Sequence, residues 1–357
     1  MNILVLGGTG AMGTHLVEIL AKNGMKVTVT SRRRRQNTKN VSYVEGNAHN
    51  QHFLNEVLKS DVWDAIVDFM AYSTEEYKER IHVLLNSTKQ LVYLSSARVY
   101  AQSSSPLTEQ SPRLLDICKD DGYLSTDEYA LAKARQENLL FDCGKKNWTI
   151  IRPYVTFDEN RLQLSCEEKE SWLYRALHGR TIVVSEDILN RITTFTYGGD
   201  VARGIAAIIG NENALGETFH ITNNNKYTWK VIFDWYLNAI EKFSGKRPEV
   251  LVTPEYKVYY GGTPRQVQYD RLYDRIFDNS KISQYCDVNS FMKPKECIEL
   301  CLNKFLTNPI WHSINIIHEA LKDRDTKEWM GIEEFSHIGG WQNILRYYAY
   351  RLGLKHI

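Results

Sequence analysis

The sequence predicts an α/β fold: a doubly wound parallel sheet, with a smaller mixed lobe and a helical C-terminal extension. Three observations carry this. Short apolar runs alternate with amphipathic stretches through roughly the first 155 residues. A glycine-rich turn follows the first run at once. The alternation then fails, and the last seventy or so residues become aromatic-rich and helical in spacing. Strands alternating with helices imply parallel pairing with right-handed crossovers, and helices on both faces of the sheet.

Residues 2–6 are a mostly apolar run closed by glycines, as a strand buried on both faces requires. Residues 13–23 place Leu16, Val17, Ile19 and Leu20 on one helical face, and Asn23-Gly24 ends that helix. Residues 26–30 are rich in Val and Thr and form the second strand. Further strands are expected at 41–44, 64–69, 90–94 and 148–151, with helices at 51–59, 74–86 and 127–142 between them. Beyond residue 155, helical pieces at 170–178, 200–210 and 228–243 mix with short strands. The expected organisation is a first domain of residues 1–155, with 190–222 returning to it. A second lobe comprises 156–189 and 223–283, and the helical extension runs from 284 to 357.

Composition narrows the function classes. The chain has 357 residues, of which 43% are hydrophobic and 24% charged, so it is neither a disordered nor a collagen-like sequence. Its 44 basic and 43 acidic residues leave a net charge of +1, without the basic excess of a protein that coats nucleic acid. No run approaches the length of a membrane helix, and the N-terminal apolar run lacks the basic flank of a signal peptide. Six scattered cysteines suit reduced thiols, and a cytoplasmic location is expected. Cys297 and Cys301 lie four apart on an expected helix with no further ligands at matching spacing, so they read as packing residues and no metal is expected.

The segment Gly7-Gly8-Thr9-Gly10-Ala11-Met12-Gly13 has the spacing G-x-x-G-x-x-G between a strand and a helix. Glycines there let the backbone approach a pyrophosphate seated on the helix N-terminus. An acidic residue at the end of the second strand would bond the adenosine ribose. Here that end reads Thr30-Ser31-Arg32-Arg33-Arg34-Arg35. Guanidinium groups suit a 2′-phosphate, which favours NADP and leaves NAD open; a solvated basic turn and a nucleic-acid signal are the other readings.

Ser95-Ser96-Ala97-Arg98 follows the fifth strand, and Tyr129-Ala130-Leu131-Ala132-Lys133 opens the next helix. A Tyr and a Lys four apart share one helical face. A free tyrosine titrates at about 10, and a nearby ammonium favours its phenolate, which then takes a proton from a substrate hydroxyl.

This combination resembles the extended short-chain dehydrogenase/reductase family, the NAD(P)-dependent nucleotide-sugar epimerases and dehydratases, over about residues 1–283. Arg152-Pro153, Phe195-Thr196-Tyr197-Gly198-Gly199-Asp200-Val201-Ala202 and Asp278-Asn279-Ser280-Lys281 belong to the resemblance. It implies a Rossmann fold, with Tyr129 as base, Lys133 as its modulator and ribose anchor, and Ser96 as the hydroxyl-binding serine. It implies cofactor contacts from Gly7, Thr9, Gly10, Met12, Gly13, Ser31, Arg32, Arg33, Asn47, Tyr129, Lys133 and Pro153. Substrate contacts are implied for Ser96, Arg98 and Arg275, the last at the diphosphate. The second lobe is then the substrate lobe.

Several positions depart from the family pattern. Ala97-Arg98 stands where dehydratases carry an Asp-Glu pair. Asn47 replaces an acidic adenine contact, Val155 replaces an asparagine, and Thr193-Thr194 stands where Arg-Asp is usual. The expected activity is therefore epimerisation of a nucleotide-sugar by transient oxidation of a ring carbinol, at C4, in carbohydrate biosynthesis. The alternatives are an NADPH-dependent 4-keto-sugar reductase and a non-catalytic dinucleotide-binding or RNA-associated protein. A homodimer is expected, with neither nucleic acid nor membrane as partner.

Overall fold

The computed structural model describes residues 1–335 and 339–355. Seven parallel strands form the main sheet: β1 (Asn2–Leu6), β2 (Lys26–Ser31), β3 (Val41–Glu45), β4 (Trp63–Asp68), β5 (Thr88–Leu94), β6 (Trp148–Pro153) and β7 (Glu217–Ile221). Their spatial order is β7-β6-β5-β4-β1-β2-β3. The order reverses between β1 and β4, and such a switch point opens a crevice at the strands' carboxyl ends.

Side chains alternate across β1, so each face of the sheet has its own core. Ile3 and Val5 join Leu16 and Leu20 of α1 (Gly13–Lys22) on one face. Leu4 and Leu6 join Leu54 of α2 (Gln51–Lys59), Tyr77 and Leu84 of α3 (Thr74–Asn86) and Leu140 of α4 (Tyr129–Phe141) on the other. Helix starts follow local chemistry. Asn50 caps α2 by accepting from the Phe53 N–H at 3.0 Å, and Ser73 caps α3 by accepting from Glu76 at 3.2 Å. The helix α5 (Gly198–Ile208) adds Val201, Ala202 and Ile205 to the α1 face.

The chain divides into two compact units: 1–156, 194–225 and 275–292 in the first, and 157–193, 226–274 and 293–357 in the second. The first holds the sheet. Residues 275–283, expected in the substrate lobe, and 284–292, expected in the extension, group with it, because Ile282, Val288 and Phe291 are buried in the α1-side core. Residues 293–357 group with the second unit instead of standing apart.

The second unit pairs Ile182–Ser185 with Val250–Thr253 in parallel. It contains α6 (Trp229–Ser244), α7 (Pro294–Thr307), α8 (Ile316–Thr326) and α9 (Trp341–Arg351). Cys297 and Cys301 are buried on α7. Buried ion pairs tie α8 to the 157–193 segment. Arg175 meets Glu319 at 3.0 Å and Asp323 at 2.8 Å, Arg180 meets Asp323 at 3.1 Å, and Lys322 meets Glu167 at 3.1 Å. Removing one member of such a cluster strands its partner's charge, which is far costlier than the pair is stabilising.

Candidate active site at the sheet edge

The turn after β1 is shaped for close approach. Gly7 has φ +72°, and its N–H donates to Thr30 Oγ1 at 3.1 Å. A Cβ on Gly13 would lie 2.7 Å from the backbone of Gly8, so α1 packs on the turn as no side chain permits. A Cβ on Gly10 would meet nothing within 4 Å, so the turn is open there. The first turn of α1 has no side-chain cap and no acidic residue. The helix dipole at this end therefore suits an anion. These features fit a dinucleotide pyrophosphate; Thr9 and Met12 lie within the same turn.

Ser31 ends β2, buried, with its hydroxyl donating to the Arg33 carbonyl at 2.8 Å. Arg32, Arg33, Arg34 and Arg35 are exposed. Strand register sets Glu45 of β3 opposite Ser31. Glu45 is an exposed carboxylate beside the end of β2, a placement that linear reading of β2 alone does not reveal. Asn47 follows β3, and its side chain accepts from the His49 N–H at 3.1 Å.

At the carboxyl end of β5, Ser96 Oγ accepts from the Arg98 N–H at 3.2 Å and caps a short 3₁₀ turn. The Arg98 guanidinium pairs with Glu128 at 2.5 Å and lies 5.2 Å from the centre of the Tyr129 ring. Glu128 caps α4 by accepting from Ala130 at 2.9 Å, which sets Tyr129 as the first residue of the helix. Arg98 therefore connects Ser96 to Tyr129. Tyr129 remains 42% exposed.

Lys133, one turn along the same face, is buried and donates to the Leu94 carbonyl at 2.6 Å. Its ammonium lies 4.6 Å from the Tyr93 ring centre. Burial pushes its pKa down to about 8, against the opposing pull of the Asp68 and Glu137 carboxylates. Asp68 ends β4 at the switch point, fully buried, opposite Leu6 of β1 and Tyr93 of β5. Its Oδ1 accepts from the Met70 N–H at 3.0 Å and the Tyr72 hydroxyl at 3.2 Å. Its Oδ2 has no hydrogen-bond partner among the described residues. Burial raises the Asp68 pKa to about 6. Sequence reading missed this carboxylate; its signal was an acid closing the apolar run Ala65-Ile66-Val67.

Glu137 was missed too. It accepts from Ser95 Oγ at 2.6 Å and from Arg152 Nε and Nη2 at 2.8 and 2.7 Å. Arg152 is thereby a structural anchor beneath α4, and Pro153 ends β6 buried beside it. Arg275 is fully buried and donates to the Ala101 carbonyl at 3.0 Å. A diphosphate contact would require this guanidinium to be uncovered. His220 is likewise a core residue: burial lowers its pKa, and Nε2 lies 2.7 Å from the Asp278 carbonyl oxygen.

A chloroplast stem-loop binding protein of 41 kDa from Arabidopsis thaliana is 28% identical over 267 residues, which is 70% of this chain and 65% of that protein. A UDP-glucose 4-epimerase from Lacticaseibacillus casei is 28% identical over 152 residues, covering 39% of this chain and 46% of the epimerase. The chain thus spans less than two thirds of either relative. The Bordetella bronchiseptica enzyme WbmH, solved in complex with NAD+, shares the fold with a TM-score of 0.68 at 17% identity, covering 87% of this chain and 99% of the other. Residues 3–222, more than half of the chain, match the family model described as NAD dependent epimerase/dehydratase. The glycine turn, the sheet order and this match agree, and the chain belongs to the NAD dependent epimerase/dehydratase family.

Proposed function

We propose that this protein epimerises a nucleotide-sugar at a ring carbinol, C4, with Ser96, Tyr129 and Lys133 as its catalytic residues. The observation that carries the reading is the convergence of Ser96, Arg98, Tyr129 and Lys133 at the carboxyl edge of the sheet that also carries the glycine turn. The relative named UDP-glucose 4-epimerase supports the sugar class and the carbon. Ala97-Arg98 in place of an acidic pair leaves no second acid for dehydration.

In this reading Ser96 orients the substrate hydroxyl and Tyr129 takes its proton. Lys133 holds positive charge beneath the site, with Asp68 and Glu137 as the buried carboxylates that favour it. A nicotinamide dinucleotide held by the Gly7–Gly13 turn would supply the reversible hydride acceptor this exchange requires. Tyr129 gives the proton back, so the cycle needs no net oxidant.

For the cofactor, the exposed Arg32 and Arg33 favour NADP, while Glu45 opposite Ser31 favours NAD. NADPH use would turn the same site toward 4-keto-sugar reduction. Arg98 is the substrate contact we retain; Arg275 belongs to the site only if it is uncovered on binding. The test is a panel of UDP-, GDP-, CDP- and dTDP-sugars, followed by NMR for C4 stereoisomers and by nicotinamide absorbance. New stereoisomers without net absorbance change support epimerisation, and stoichiometric NADPH consumption supports reduction.

A second reading is binding of structured RNA, favoured by the name of the Arabidopsis relative and by the exposed Arg32–Arg35 run. Titration of a stem-loop RNA with and without dinucleotide separates the two. Tight RNA binding with no turnover of any sugar would displace the epimerase reading.

A further inference from the structure

Arg98 carries more donors than its protein partners use. It stands in the 3₁₀ turn Ala97–Val99, where its backbone N–H donates to Ser96 Oγ at 3.2 Å. Its guanidinium donates through Nη2 to Glu128 Oε1 at 2.5 Å. Its Nε is shielded from solvent and has no acceptor among the described residues. The neighbouring carboxylates are already engaged. Glu128 Oε2 accepts from the Tyr123 hydroxyl at 3.0 Å and from the Ala130 N–H at 2.9 Å. Asp127 accepts from the Thr74 N–H at 2.9 Å and from Arg135 at 3.2 Å. A charged donor kept from water without an acceptor costs more free energy than a made bond contributes, so it marks a place where something else supplies the acceptor. The side chains of Arg98 and Glu128 are each 14% exposed, so the pair is neither a solvated surface bridge nor a sealed core pair.

The position of this charge identifies the acceptor. In the reading above, Ser96 and Tyr129 meet at the C4 hydroxyl. The Arg98 guanidinium lies 5.2 Å from the centre of the Tyr129 ring, so its charge sits beside the reacting carbon. On a hexopyranose, C4 is flanked by C3, which bears a neutral hydroxyl, and by C5, which bears C6. Of these neighbours only C6 carries a negative charge, and it does so when oxidised to a carboxylate. The diphosphate hangs from C1, across the ring from C4, and is not the anion at Arg98. A carboxylate is planar, and its paired oxygens match the parallel N–H donors of a guanidinium, which an ammonium does not offer.

We propose that Arg98 binds a carboxylate on C6 of the substrate, so that the sugar is a uronic acid rather than a neutral hexose. The proposal rests on the epimerase reading and narrows its substrate class. The carboxylate is bound and is not itself transformed.

The experiment uses the full chain with NAD+ and three probes: UDP-glucose, UDP-glucuronate and UDP-glucuronamide. The amide keeps the shape of the uronate without its charge. The wild type is expected to favour UDP-glucuronate over either neutral probe by at least about tenfold in kcat/KM, and calorimetry is expected to show the same order of affinity. Arg98→Gln is expected to bring the ratio of uronate to amide close to one. Arg98→Lys keeps a cation against Glu128 but has no fork. It is expected to hold the wild-type thermal midpoint and still lower the ratio at least about threefold, which a merely structural ion pair would not do. Turnover of UDP-glucose with no preference for the uronate, or a preference that persists in Arg98→Gln, would overturn the proposal and leave the epimerase reading standing. No turnover of any probe, with equal affinity for uronate and amide, would remove the epimerase reading and the proposal together.

Discussion

Lys133 carries its charge where burial opposes it. Its pKa is pushed down to about 8, and it would fall further without Asp68 and Glu137 nearby. A carboxylate favours a neighbouring ammonium, so removing it makes the proton easier to lose. The kcat/KM profile of the free enzyme is therefore expected to decline on the basic side near pH 8. Asp68→Asn should move that decline to lower pH, and an unmoved basic limb would show that Asp68 does not act on Lys133. Tyr129→Phe removes the proposed proton acceptor and is expected to cost at least about two decades of turnover while cofactor binding persists. Near-normal turnover in that variant would remove Tyr129 from the mechanism. Tyr129, Lys133 and Ser96 were legible in the sequence because two short local patterns carry them. Asp68 and Glu137 were not, because strand register and a buried Arg–Glu pair bring them to the site.

At the scale of elements, the turn between β1 and α1 depends on backbone meeting backbone. Gly13→Ala would set a methyl group 2.7 Å from the Gly8 backbone, with no flexible side chain to yield. That variant should lose dinucleotide affinity by at least about tenfold and unfold at a lower temperature, as fluorescence titration and thermal melting would report. The end of β2 yields a cofactor prediction. Replacing both Arg32 and Arg33 by Ala should weaken NADP(H) more than NAD(H), by about one to two decades. Equal losses for the two cofactors would reduce the arginines to a solvated turn. Sequence periodicity placed α2 and α3 at the residues they occupy, since an amphipathic stripe and a side-chain cap coincide in each. It did not reveal Glu45 beside Ser31, because pairing between strands lies outside any local window.

For the whole molecule, the C-terminal fifth is structural tissue rather than a tail. Ile282, Val288 and Phe291 fill the α1-side core, and the Met292 N–H donates to Asp200 at 2.8 Å. Further along, α8 supplies Glu319, Lys322 and Asp323 to the buried charges Arg175, Arg180 and Glu167. Truncation after Ile282 removes Val288, Phe291, Met292 and α8, and leaves several buried charges unpaired, at about 3–5 kcal/mol each. The truncated protein is expected to be insoluble or inactive. A stable, active fragment from limited proteolysis lacking these residues would contradict that.

The sequence by itself determined the alternation of strands and helices, the glycine turn, and the serine, tyrosine and lysine of the candidate site. Each depends on neighbours within a few positions, where periodicity, capping and backbone freedom act. Only the tertiary structure decided that Asp68 stands at the switch point, that Arg275 is enclosed, and that residues 275–292 join the sheet-bearing unit. Those outcomes depend on which distant segments share a core. Burial of apolar area favours many pairings almost equally until strand order, register and the matching of buried charges select one.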